Sequence, residues 1–274
     1  MQRRLPASLR RNFGNRTAMS LPFARPEGLR PGFSMSRCRP DDAPGMTDVY
    51  MSAFKDTEHT YWWAPLPAMR QWNEERIRRR FADPSAQQFK VTDDQTGRVV
   101  AWAKWDLPRG RMMAMREGFE VYGEDGEPVR VSESNEHTKD GRGESGQASD
   151  KSYAQGPPDG CDVELFNEFF DGLVKLEKTW AASEKLVLTH LCTHADFHGR
   201  GIGSALLQSV LELADADGLS TYLESLRLAT RLYERHDFVP VDRIEFARDG
   251  TGETETASID IMLREPRVTP AGKV

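Results

Sequence analysis

The chain has 274 residues, 38% of them hydrophobic and 29% charged, which is enough apolar material for one large domain or two small ones. Its formal charge of −6 conceals a split: residues 1–40 hold nine Arg against the single acid Glu27, so the rest of the chain carries −14. A body that acidic is a poor general nucleic-acid binder, and no run approaches the roughly eighteen apolar residues that a membrane-spanning helix needs.

Cys38, Cys161 and Cys192 are odd in number, far apart and without a C-x-x-C pair, so they indicate neither a disulfide framework nor a zinc site. They fit a reducing, cytoplasmic setting. The acid-free, Arg-rich start has the composition of a mitochondrial presequence, the alternatives being a disordered basic tail or a functional start at Met35. Residues 1–32 are therefore set apart as a basic extension, disordered or targeting.

From Gly32 the pattern becomes globular. A short strand is expected at Phe33 to Arg39, then a helix at 43–54 with Met46, Val49, Tyr50 and Phe54 at helical spacing. A second helix is expected at 67–81, where Met69, Trp72, Ile77 and Phe81 form a stripe. Arg76, Arg78, Arg79 and Arg80 read as its solvated face. Phe89 to Thr92 and Val99 to Trp105 make a hairpin around Asp94-Gln95-Thr96-Gly97, with Trp102 and Trp105 as core. Between about 108 and 160 the periodicity fades and, from Ser132 on, nearly every residue is polar, charged, Gly or Pro. That composition predicts a disordered insertion, because little apolar area is present to offset the entropy of ordering.

Order is expected to return with an amphipathic helix from Val163 to Trp180, followed by a strand from Leu186 to Cys192. A helix at about Gly201 to Ala216, a strand at Thr221 to Ser225 and a helix at Ala229 to Arg235 come next. Two strands, Phe238 to Phe246 and Thr256 to Leu263, close a single domain of 33–265, with 266–274 as a tail.

The chemistry-bearing segment is His190 to Ser204, which reads HLCTHADFHGRGIGS between a predicted strand and a predicted helix. A strand that feeds a glycine-rich turn into a helix N-terminus makes an anion site. Glycine lets the backbone approach a ligand, and the first-turn amides have no partner inside the helix. A Walker loop is excluded because no Lys follows these glycines. A dinucleotide G-x-G-x-x-G is nearly met, with Ser204 in place of the third glycine and Glu224 at about the ribose-binding position. An NAD(P)-dependent oxidoreductase is one alternative on that ground.

His198-Gly199-Arg200-Gly201-Ile202-Gly203, followed by Tyr222 to Ser225 and by Leu232-Tyr233-Glu234-Arg235 with Phe238, resembles the two conserved blocks of the GCN5-related N-acetyltransferase (GNAT) family. The resemblance implies an α/β fold with a twisted, mixed sheet flanked by helices, whose splayed parallel pair admits acetyl-CoA. It also implies direct transfer of the acetyl group to a small-molecule or peptide amine, with no covalent enzyme intermediate; His190, His194 and His198 are spaced like metal ligands, but on a strand and loop they would not converge, so no metal is expected. On that mapping the amides of His198, Gly199, Arg200, Gly201, Ile202, Gly203 and Ser204 cradle the pyrophosphate, and the backbone of Leu191, Cys192 and Thr193 pairs with the pantetheine arm. The Cys192 amide is then the oxyanion donor, and Tyr233 the acid that protonates the departing thiolate. For the base, Glu224, His190 and His194 are the candidates. A non-catalytic acyl-CoA sensor of the same fold is the alternative from another functional class. His198 stands where the family has Gln or Arg, and Asp237 where Gly is common, which predicts a left-handed Asp237. Tyr61, Trp62 and Trp63 are candidates for an acceptor pocket.

Overall fold

The computed structural model of the chain describes residues 21–108, 110–123, 125–129, 155–249 and 254–267. The expectations for 1–20, for 130–154 and for the tail from 268 lie outside the described residues.

Seven strands form one sheet: β1 (Phe33–Arg37), β2 (Ala86–Asp93), β3 (Val99–Asp106), β6 (Leu186–Thr193), β7 (Thr221–Leu226), β9 (Thr254–Arg264) and β8 (Val239–Asp249), in that spatial order. Every neighbouring pair is antiparallel except β6–β7. A second, two-stranded sheet pairs β4 (Val121–Tyr122) with β5 (Pro128–Val129). The helices are α1 (Ala43–Phe54), α2 (Leu66–Arg80), α3 (Met113–Arg116), α4 (Val163–Thr179), α5 (Ile202–Ala216) and α6 (Arg227–Glu234). None of them is long and apolar enough to cross a membrane.

Alternation along the strands supplies two cores. On one face α1, α2 and α4 contribute Met46, Tyr50, Met69, Trp72 and Phe170, which pack with Trp102 and Cys192. On the other, Ile202, Leu206 and Val210 of α5 pack on Val91, Trp105, Leu186 and Leu188. Burial of each such side chain contributes about 2 kcal/mol, so both helical layers are held by their apolar stripes rather than by helix propensity.

Three expectations are corrected. The first concerns 21–32, which is no loose extension: Leu29 is buried, Phe23 packs edge-on against Phe89 at 5.1 Å, and Arg25 donates to the carbonyls of Leu29 (3.3 Å) and Arg30 (3.1 Å). Met35 lies within β1, so a chain opening there would lack Leu29 and the start of that strand. The second concerns the front of the insertion, where Met112 and Met115 are buried and Tyr122 packs on Phe81. These anchors are too sparse to show a period, yet each is buried in one of the two cores. The third concerns the arginines of α2: Arg76 and Arg80 are buried. Arg76 lies over the rings of Trp72 (4.6 Å) and Tyr50 (5.3 Å) and donates to Asn73 Oδ1 at 2.7 Å. Flat guanidinium groups tolerate such stacking, which a local charge pattern does not reveal.

Asp237 has φ 66°, the left-handed conformation expected of it. Its carboxylate accepts from Arg267 Nε at 2.7 Å in an exposed pair, which contributes little. Asp237→Ala should cost about 1 kcal/mol from the strained φ, and Asp237→Gly less. Urea titration with an unchanged m-value checks both; equal losses would mean that the lost ion pair, not the backbone, sets the effect.

Candidate active site

The site begins with a defect in pairing. Along β6, Leu188 lies opposite Trp105 and His190 opposite Lys104, so Thr189 is an extra residue with no counterpart on β3. Such a bulge bends and twists its strand. The parallel pairing of β6 with β7 accordingly stops at Leu188–Leu223, and beyond it the two strands part. The bulge also switches the faces: Leu186 and Leu188 belong to the α5 core, whereas Cys192, at the same parity, belongs to the opposite one.

The gap opens into a cleft of about 410 Å³, lined by Leu188 to Leu191, Thr193, the loop from Phe197 to Ser204, Glu224 and Tyr233. The loop's geometry follows from its glycines. Gly199 (φ 72°) and Gly201 (φ 79°) are both left-handed, a conformation that costs other residues about 1–2 kcal/mol. Gly201 caps α5 without a side-chain acceptor, and the first helical bond runs from the Ala205 amide to Gly201 O at 3.0 Å. The amides of Ile202, Gly203 and Ser204 therefore have no backbone acceptor among the described residues. Unpaired first-turn amides of cleft-lining residues, at the positive end of a 15-residue helix, suit a phosphate. His198 contributes differently: its amide donates to Ala195 O (3.2 Å), and its Nε2–H donates to Thr193 O (2.8 Å), fastening the loop to β6. Arg200 stacks on Phe197 at 4.7 Å and Ser204 Oγ bonds His236 Nε2 at 2.6 Å.

Cys192 does not line the cleft. It is fully buried, and opposite it lies Trp102 on β3. The next amide of the same parity, that of His194 just past the end of β6, donates to Val100 O of β3 at 2.9 Å. Amides alternate along a strand, so the Cys192 N–H faces β3, and those of Leu191 and Thr193 face the gap. The amides of Leu191 and Thr193, rather than the one expected at Cys192, are therefore the ones open to a ligand in the cleft. A one-residue error of this kind arises because the direction of an amide is set by the partner strand.

Tyr233, near the end of α6, is buried, with its ring 5.8 Å from that of Phe238. Burial, reinforced by Cys192, pushes its phenol above the ordinary value, so the hydroxyl stays protonated. Glu224 faces both this cleft and a second cavity, and its Oε1 accepts from the Tyr222 hydroxyl at 3.0 Å. His190 stacks on Trp102 (5.3 Å) and approaches Arg76 Nη2 at 3.4 Å, while His194 Nδ1 lies 3.6 Å from Asp196. His190, His194 and His198 thus have separate partners, and no metal-holding cluster occurs among the described residues.

The second cavity, about 120 Å³, adjoins the first and shares Phe54, Thr189, His190, Glu224 and Leu226 with it. Of the aromatic trio at 61–63, only Trp62 lines it. Besides the expected His190 and Glu224, its walls include Tyr50, His59, Phe169, Phe170 and Glu177, which were not among the candidates read from sequence. A signal existed for Glu177, which falls four residues after Leu173 and seven after Phe170, on the apolar stripe of α4.

The family model described as the acetyltransferase (GNAT) domain matches residues 164–240, the segment that carries β6, the glycine loop, β7 and α6. Among solved structures, a Corynebacterium glutamicum protein titled histone acetyltransferase HPA2 and related acetyltransferase is 20% identical. The match covers 88% of this chain and 99% of that one, with a TM-score of 0.50. The ribosomal-protein-S18-alanine N-acetyltransferase of Escherichia coli is 12% identical over 88% of this chain and 99% of its own, with a TM-score of 0.46. No curated protein matches the chain.

Proposed function

We propose that this chain, which carries a GNAT acetyltransferase domain over residues 164–240, transfers an acetyl group from acetyl-CoA to an amine by direct attack. The observation that carries the reading is one continuous cleft, which joins the glycine-loop amides, the open edge of β6 and Tyr233. Diphosphate would sit on the amides from Gly199 to Ser204, and the pantetheine arm along β6, bonded to the backbone of Leu191 and Thr193. Acetyl-CoA supplies an activated acyl carbon at the end of that arm. As the C–N bond forms and the C–S bond breaks, charge develops on the carbonyl oxygen. An outward amide of β6 stabilises it, a contribution on the order of 3 kcal/mol for one such donor. Tyr233 gives its hydroxyl proton to the departing sulfur. Glu224 takes the amine proton, directly or through one water, and passes it to solvent.

Two expected results arise here. Because the Tyr233 phenol is held above its ordinary value of about 10, its deprotonation should produce no loss of kcat below about pH 10. Glu224→Gln should lower kcat/KM about tenfold, at the weak end of base catalysis, and the loss should shrink at high pH where the amine is already neutral. A pH–rate profile of both proteins checks the two together. The reading itself is tested by thiol release from acetyl-CoA across an amine panel, with mass spectrometry of the products. Acetyl-CoA binding without turnover on any amine would favour a sensor.

A further inference from the structure

We propose that the second cavity receives the acceptor, and that the acceptor is a compact apolar primary amine: a single ring or short branched chain ending in an ammonium group. The proposal rests on the acetyl-transfer reading above and adds the substrate class to it.

Position is the first argument. The cavity meets the cleft at Thr189, His190 and Glu224, beside the place where β6 and β7 part. An amine held there is presented to the open edge of β6, where the acyl carbon would lie. Size is the second. At about 120 Å³ the cavity is comparable to the roughly 150 Å³ apolar cavity that admits benzene, so one ring fits and a bicycle, a sugar or a peptide does not.

The walls set the chemistry. Tyr50, Phe54, Trp62, Phe169 and Phe170 present rings around the space. His59 joins them uncharged, since burial and then Arg76 push it down to about 3. Aromatic rings pack against an apolar body and exclude water from it. Charge gives the direction: the lining holds two carboxylates, Glu177 and Glu224, both within electrostatic reach of Tyr222, which donates to Glu224. Among the described lining residues the one cation is Arg76, which is stacked between Trp72 and Tyr50 and donates to Asn73. A lining of that charge suits one ammonium group. An amino acid would bring its carboxylate into the same small space as two others, and a polyamine would bury its second ammonium among rings.

The test measures kcat/KM at saturating acetyl-CoA for 2-phenylethylamine, isoamylamine, tryptamine, putrescine, phenylalanine and an alanyl peptide. Calorimetry of acetyl-CoA accompanies it. The expected result is that 2-phenylethylamine or isoamylamine exceeds the other four by about tenfold or more. Glu177→Gln, at a partly exposed position where folding is not at risk, should raise KM for the preferred amine about tenfold with acetyl-CoA affinity unchanged. Phe169→Leu should shift preference toward tryptamine. Preference for putrescine, phenylalanine or the peptide, equal rates for all six, or a Glu177→Gln variant with unaltered KM would overturn the proposal while leaving the acetyl-transfer reading intact. Failure of acetyl-CoA to bind at all would remove that reading, and the acceptor proposal with it.

Discussion

Tyr233→Phe should reduce kcat about 100-fold or more, equivalent to roughly 3 kcal/mol of transition-state stabilisation, while acetyl-CoA affinity stays within about twofold. The phenyl ring keeps its edge contact with Phe238, so packing is retained and only the hydroxyl is lost. A thiolate leaving into a cleft without that donor must collect its proton from water. Stopped-flow thiol release and calorimetry on the same preparation separate the two quantities. Unchanged turnover would reduce Tyr233 to a packing residue of α6.

The second large effect is expected at Gly203. A Cβ built there meets Thr193 Oγ1 at 3.7 Å, Leu232 Cδ2 at 3.8 Å and Leu191 Cδ2 at 4.0 Å, all ordinary contacts with cleft-lining residues. The position is helical, so a larger residue is tolerated by the backbone and projects between α5 and β6. Gly203→Val should therefore weaken acetyl-CoA binding about 100-fold, through one or two lost amide bonds to a charged group, with an unchanged or raised melting temperature. Gly201 is a poorer test because its left-handed φ would unfold the loop as well as block the site. Tight binding to Gly203→Val would show that the ligand lies elsewhere.

How far the sequence reached depended on what kind of interaction determined each feature. The helix expected at 43–54 is found at Ala43–Phe54, and the helix expected at 67–81 at Leu66–Arg80, since a periodic apolar stripe is a local property. The strand–glycine loop–helix unit was legible for the same reason: Gly199, Gly201 and the start of α5 are neighbours in the chain. The bulge at Thr189 was not, because it exists only relative to β3. With it went the direction of the Cys192 amide and the point at which β6 leaves β7. The second cavity was hidden in the same way. Phe169, Phe170 and Glu177 come from α4, Tyr50 and Phe54 from α1, and Glu224 from β7, brought together by contacts spanning more than a hundred residues. Arg76 and Arg80 read as solvated because the rings that stack on Arg76 belong partly to another helix.

The claim on which the rest depends is that the amides from Gly199 to Ser204 hold the diphosphate of coenzyme A. Calorimetric titration of the wild-type chain with acetyl-CoA, with S-acetylpantetheine, which lacks the diphosphate, and with NADPH tests it most directly. Acetyl-CoA should bind at least about 100-fold more tightly than S-acetylpantetheine, and NADPH should not compete. Equal affinity for the two thioesters, or binding of NADPH in preference to acetyl-CoA, would contradict the account.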